Sequence, residues 1–328
     1  MHRWRVIGFA AVAVATAALA ATAAAAGRHG GAGKPTVAFV TADSVDPFFI
    51  TWHCGSSVAA KQFGVSLIWQ GTPTFSYQTE LSIFNAVMTR NPGAVIVVPF
   101  SAPAFNQPAR QAAKAGTLVI TANVPLAKGV AARTYLTAEK TNGELGGVGL
   151  AKQLGGKGKV AIIAPSASIS YTVAQRIAGF KAGIAKYPGI TLVATEYSGG
   201  DSSKAAALTA ALLQAQPDLG GIFATDTGSG EGAASALLAA GARGKVHLVA
   251  YDASPKEVAD LKSGALQGLV AQDPYSYGYQ TVKWAAQVLE GKVKKGAPKT
   301  ITLGGAFIDK NNVNSPSIKK FLYRSTCS

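Results

Sequence analysis

Residues 46–55 read DPFFITWHCG and place a carboxylate, two phenylalanines, a tryptophan, a histidine and one of the two cysteines directly after an apolar run of strand character. Comparable polar and aromatic groups follow other such runs: Asn123, the stretch from Ser166 to Tyr171, Thr225–Asp226–Thr227, Tyr251–Asp252 and Gln272–Asp273. Together they combine ring faces with planar amide and carboxylate groups. A polyhydroxylated ligand needs both, because its C–H faces stack on aromatic rings while side chains with two heteroatoms meet neighbouring hydroxyls.

Each of these residues also has a purely structural alternative. Phe48 and Phe49 could be core residues at a helix start, as apolar side chains usually are. Trp52 follows Phe48 by four residues and shares its helical face. Asp226 could cap the helix that follows it, and Asp252 and Gln272 could serve as caps or connections.

Catalytic readings fare worse. Asp226–Thr227–Gly228–Ser229 spells an aspartic-protease signature, but that chemistry needs two carboxylates sharing a proton and no second such motif occurs. The glycine-rich 228–232 lacks dinucleotide or phosphate-loop spacing, and Gly-x-Ser-x-Gly is absent. Beyond the leader, His29, His53 and His247 have no metal-ligand spacing. A non-enzymatic protein without metal or cofactor is therefore expected.

The elements that must position these residues alternate regularly. Short β-branched runs at 36–40, 65–69, 94–98, 118–121, 133–136, 160–163, 191–197, 221–224, 247–250 and 268–271 are separated by amphipathic stretches such as 78–90, 171–186 and 205–216. Continuous apolar strands between helices predict parallel sheets covered on both faces, the doubly wound α/β class. Ten strands are many for one open sheet, and the series restarts near 137–139, which predicts two similar lobes. In such sheets ligands lie outside the carboxyl ends of the strands, where the polar and aromatic groups above fall.

The N-terminus reads as a secretory signal over 1–26, with Arg3 and Arg5 ahead of an apolar run and small residues behind it; an uncleaved anchor is the alternative. A flexible linker over 27–34 follows, so a periplasmic or secreted protein is expected. The formal charge of +15 is scattered, its longest cluster being KVKK at 292–295, and no nucleic-acid motif accompanies it. In an exported chain, Cys54 and Cys327 are most simply a disulfide, with two separate thiols as the alternative.

VAFVTADSVDPFF, AVIVVPFSAPAF, AQRIAGF at 174–180, PDLGGIFATD, LVAYDASP and LQGLVAQDPY occur in register along the chain. With them the sequence resembles the ribose-binding-type (type I) periplasmic substrate-binding proteins of sugar ABC transporters. GTPTFSYQTEL at 71–81 is similar to the branch that binds rhamnose or autoinducer-2. The resemblance implies two lobes joined by a three-segment hinge near Thr137–Ala138, Gln272–Asp273 and Thr302–Gly304, which close around ligand. One lobe would comprise 35–137 and 273–302, the other 138–272 and 303–328. It further implies that Phe48 and Phe49 wall a sugar or polyol, while Asp46, Asp226, Asp252 and Gln272 bond its hydroxyls. Ribose binders carry an Asp-Arg pair where Ala122–Asn123 stands and an arginine where Ala174 stands, which argues against ribose itself. Asn123 and Tyr171, one turn upstream of Ala174, would then be the substitutes. The implied partner is an ABC permease, for a monomeric protein that binds no nucleic acid; a sensor presenting ligand to a membrane receptor is the alternative.

Overall fold

The computed structural model describes residues 1, 2, 33–73, 76–166 and 171–327. The expected signal segment from residue 3 onward and most of the linker lie outside the described residues, as do Thr74 and Phe75 of the 71–81 stretch and residues 167–170.

From Lys34 onward the chain alternates strand and helix. The first series is β1 (Thr36–Thr41), α1 (Pro47–Gln62), β2 (Ser66–Gly71), α2 (Tyr77–Met88), β3 (Ala94–Val98), α3 (Ala102–Lys114), β4 (Leu118–Ala122) and β5 (Arg133–Thr137). The second is α4 (Glu139–Gln153), β6 (Lys157–Ala164), α5 (Tyr171–Ile184), β7 (Gly189–Tyr197), α6 (Ser202–Ala215), β8 (Leu219–Ala224), α7 (Thr227–Ala239), β9 (His247–Tyr251), α8 (Pro255–Ser263) and β10 (Gly268–Ala271). It is followed by α9 (Pro274–Leu289), β11 (Lys299–Leu303) and β12 (Ala306–Ile308).

All ten strands expected from the sequence are present. They form two sheets, ordered β11-β5-β4-β3-β1-β2 and β12-β10-β9-β8-β6-β7. Every pairing is parallel except β10 with β12. The central strands are buried along their whole length, as in β3 (AVIVV) and β4 (LVITA), because helices cover both faces. Each sheet with its helices makes one lobe of a two-lobed α/β fold. The chain passes from the first sheet to the second after β5, returns through α9, and passes again between β11 and β12.

Two strands were missed by the sequence reading. β11 and β12 are edge strands of five and three residues, and β11 is largely exposed. Neither has the continuous apolar run that marks a strand covered on both faces; pairing with a neighbouring edge creates them.

Helix α1 holds the first site residues, and its local chemistry explains where it begins. The Asp46 carboxylate accepts the Phe48 N–H at 2.7 Å, and Pro47 occupies the first turn, where its missing N–H costs nothing. Its other face lies unusually close to α9. A Cβ at Gly55 would stand 2.0 Å from the Tyr275 carbonyl oxygen, and one at Gly278 2.0 Å from that of Trp52, so the two backbones meet at a distance only glycine permits. Trp52 is fully buried in that seam, between the rings of Phe39, Phe48 and Tyr277.

Cys54 on α1 is bonded to Cys327, with Cα atoms 5.0 Å apart and a sequence separation of 273 residues. Replacing both cysteines by serine is expected to lower unfolding stability by about 2–5 kcal/mol, since so long a closed loop strongly restricts the unfolded chain. Urea denaturation checks this; an unchanged midpoint would show that the bond constrains nothing.

Candidate functional site

The carboxyl ends of the two sheets face a shared cavity of about 430 Å³. The first lobe lines it with Asp46, Phe48, Phe49, Phe100 and Asn123, the second with Thr172, Val173, Arg176, Asp226 and Asp252, and the hinge with Gln272. Seven of the eight ligand-site residues expected from the sequence therefore converge on one space, from segments separated by more than two hundred residues.

Phe48 and Phe49 satisfy both of their readings at once. Each is at least nine-tenths buried in the lobe core and each lines the cavity. They meet edge to face at 5.0 Å, and Phe48 packs likewise on Trp52 at 5.4 Å, which fixes the aromatic wall. Phe100, not singled out from the sequence, adds a second aromatic surface. Its N–H donates to Glu80 Oε2 at 2.9 Å, and burial pushes the fully enclosed Glu80 carboxyl up to about 8.

The polar groups follow from the strand ends. Asp43 Oδ1 accepts the N–H groups of Val45 and Asp46, turning the chain from β1 into α1. Asn123, just after β4, adopts φ 62°, and Asp252, just after β9, adopts φ 86°. Left-handed backbone is unfavourable for residues with a Cβ and concentrates at ligand sites. Asp226 caps α7 by accepting the Ser229 N–H at 3.4 Å through Oδ2, the structural role foreseen for it. Its Oδ1 has no partner among the described residues, and neither does Asn123 Oδ1. Buried acceptors without donors are costly, so both are suited to accept from a ligand.

Hydrogen bonds join this site to the hinge. Gln272 Nε2 donates to Asp252 Oδ1 at 2.8 Å, while Gln272 Oε1 accepts from Thr137 Oγ1 at 2.8 Å. Thr137 in turn accepts from the Tyr277 hydroxyl at 2.9 Å. The groups at the ends of β5 and β10 and the start of α9 are thus tied to a cavity carboxylate.

One expectation needs correction. Tyr171 does not line the cavity: it is the first residue of α5 and 47% exposed, while Thr172, Val173 and Arg176 form the inward face. Ala174 is exposed as well. Helix phase decides this, because successive residues rotate by about 100° around the axis. Arg176, two residues past Ala174, lines the cavity. Arg176 donates to Glu139 Oε2 at 2.8 Å and to the Thr225 carbonyl at 2.8 Å, and lies 3.7 Å over the Tyr251 ring. Burial alone would pull its guanidinium down, but the Glu139 charge outweighs that and holds it above its ordinary value. Glu139 and Arg176 are separated by 37 residues, so only an acid opening one helix and an arginine within the next hinted at the pair.

With Arg176 engaged by Glu139, the cavity is dominated by acceptors. Burial pushes the Asp46 carboxyl up to about 7, with a further push from the Asp252 charge, against the opposing Phe48 N–H. Burial likewise pushes Asp226 up, opposed by its Ser229 bonds. Such a surface favours a neutral ligand rich in hydroxyl donors and disfavours an anion. Because folded Asp46 holds its proton to about pH 7 and the unfolded group releases it near 3.8, its contribution to stability falls as pH rises through that window and is constant above it. Asp46→Asn keeps a capping side chain but lacks the titration. Melting temperatures between about pH 4 and 8 should therefore show the wild type declining relative to the variant; parallel profiles would contradict the shift.

A family model described as periplasmic binding protein domain matches residues 37–293. The chain is 27% identical over 274 residues to the ribose import binding protein RbsB of Salmonella typhimurium, covering 82% of this chain and 90% of that one. Among solved structures, an ABC transporter solute binding protein from Agrobacterium vitis bound with alpha-D-tagatopyranose is 33% identical, with TM-score 0.82 over 89% of this chain and all of that one. A solute binding protein from Burkholderia graminis in complex with D-arabinose is 27% identical, with TM-score 0.80 over 87% and 98% of the two chains. The order of the two sheets, the cavity at their carboxyl ends and this match over most of the chain have one explanation: the protein is a member of the periplasmic binding protein family.

Proposed function

We propose that the protein captures a neutral monosaccharide or polyol between its lobes and delivers it, as an exported monomer, to an ABC importer permease. The observation that carries this reading is the pairing of the Phe48–Phe49 wall with unpartnered acceptors on opposite lobes, Asn123 Oδ1 and Asp226 Oδ1. A sugar offers ring C–H groups to the first and hydroxyl donors to the second. The sugars of the relatives, ribose, tagatose and arabinose, are of that chemistry.

In this reading Asp46, Phe48, Phe49, Asn123, Asp226, Asp252 and Gln272 contact ligand. One lobe, comprising 35–137 and 273–302, closes on the other, comprising 138–272 and 303–328. Ligand touches both sets of groups only when the lobes are together, so it shifts the open–closed equilibrium by its extra affinity for the closed form. The protein then binds and releases without bond chemistry.

Thermal scans of the mature protein with D-ribose, D-arabinose and D-tagatose test the assignment. A sugar present at about a hundred times its dissociation constant stabilises by roughly 2.7 kcal/mol, a clear shift in melting temperature. No shift with any of the three, or with a wider set of hexoses and polyols, would sink the sugar reading. For the sugar that binds, Phe49→Leu keeps most of the apolar volume and removes the ring face. Calorimetry should then show affinity weakened roughly five- to ten-fold, in line with about 1 kcal/mol for an aromatic contact.

A further inference from the structure

Beyond β12 the chain does not stop at the second sheet. Its last twenty residues cross back toward α1, and they lie outside the 37–293 segment matched by the family model. At Tyr323 the backbone N–H donates to the Ala253 carbonyl at 3.0 Å, on the second lobe. At the next residue, the Arg324 N–H donates to Thr51 Oγ1 at 2.6 Å, on helix α1 of the first lobe. Three residues further, Cys327 is covalently fixed to Cys54 on the same helix. The segment is therefore a fourth connection between lobes that already share three, and the only one of the four closed by a side-chain covalent bond.

What this strap carries is a single buried hydroxyl. The Tyr323 ring lies 5.7 Å from that of Phe48, and its hydroxyl is enclosed at the hinge. It donates to Asp252 Oδ1 at 2.8 Å and accepts the backbone N–H of Gln272 at 3.3 Å. Asp252 Oδ1 thus has two short donors, Tyr323 and Gln272, whereas Oδ2 has only the Thr227 hydroxyl at 3.4 Å among the described residues. Fixing one oxygen leaves the other directed for a ligand hydroxyl, on a residue whose left-handed backbone needs outside support. Tyr323 does not line the cavity.

We infer that the C-terminal segment is a disulfide-fastened strap between the lobes, and that Tyr323 is a positioning residue which couples the Cys54–Cys327 bond to ligand affinity by orienting Asp252 and limiting how far the cleft opens. This rests on the reading of the cavity as the sugar site. Without the bond, the covalent fastening of the strap to α1 is lost while the Arg324–Thr51 hydrogen bond and the Tyr323–Phe48 ring contact remain; the open population of the ligand-free protein grows, and apparent affinity falls by the fraction of competent molecules lost.

Calorimetry with whichever of D-tagatose, D-arabinose and D-ribose binds the wild type provides the test, on Tyr323→Phe, on Cys54→Ser/Cys327→Ser and on the triple combination. Tyr323→Phe should weaken binding about ten-fold, the scale of one hydrogen bond to a charged group. The disulfide variant should weaken it comparably, and the combination should fall well short of the product of the two effects, because both act through one hydroxyl. Ligand-free X-ray scattering should give the disulfide variant a larger radius of gyration than the wild type. Wild-type affinity in Tyr323→Phe, or fully multiplicative effects, overturns the inference. A disulfide variant that fails to fold leaves Tyr323→Phe, which keeps the bond, to decide it. If no sugar binds the wild type, the sugar reading fails separately, and the strap stands or falls on scattering: equal radii reject it.

Discussion

The buried bond between Gln272 and Asp252 is the constraint on which the rest of this structure turns. Gln272 sits where the chain leaves the second sheet for α9, and its amide is committed in both directions, accepting from Thr137 at the end of β5 and donating to the cavity carboxylate. With Tyr277 donating to Thr137, the hydrogen-bond directions form a consistent chain in which each group has a defined role. In a dry interior such a chain is costly to leave half made. The segments that cross between the two sheets are thus tied to one another through side chains.

The cavity's charge is the second consequence. Asp46, Asp226 and Asp252 approach one space in which Arg176, the one arginine lining it among the described residues, is engaged by Glu139. Three carboxylates taken from water and placed near one another lose solvation and repel, and the shifts of Asp46 and Asp226 record that cost. The cost has a use. A surface of underemployed acceptors is suited to hydroxyl donors and opposes carboxylates and phosphates, which accords with the neutral-sugar reading proposed above.

Packing supplies the rigidity that makes this geometry meaningful. The α1–α9 seam, closed by glycines facing backbone carbonyls, lets the aromatic wall rest on a helix pair with almost no slack. The Glu139–Arg176–Tyr251 cluster does the same for the second lobe, holding α4, α5 and the end of β9 together beside Asp252. Each lobe is thereby held rigid on its own side of the cleft, and side-chain hydrogen bonds join the two where the chain crosses.

Much of this was legible before any coordinates. The ten strands announce themselves as continuous apolar runs because a sheet covered on both faces requires them, and Asp46, Phe48, Phe49, Asn123, Asp226, Asp252 and Gln272 all sit just past such runs or at the helix start that follows, where doubly wound sheets place ligands. Other features depend on partners distant in sequence. Tyr171 points away and Arg176 inward because the phase of α5 is set by its packing on α4, not by its own composition. β11 and β12 exist through the edges they pair with, and Tyr323 reaches Asp252 because a chain end returns across the molecule. Local pattern therefore determined which elements form and which residues lie at their ends. Tertiary structure alone decided which side chains face the cleft and how its carboxylates are held, since those depend on contacts between segments that the sequence leaves far apart.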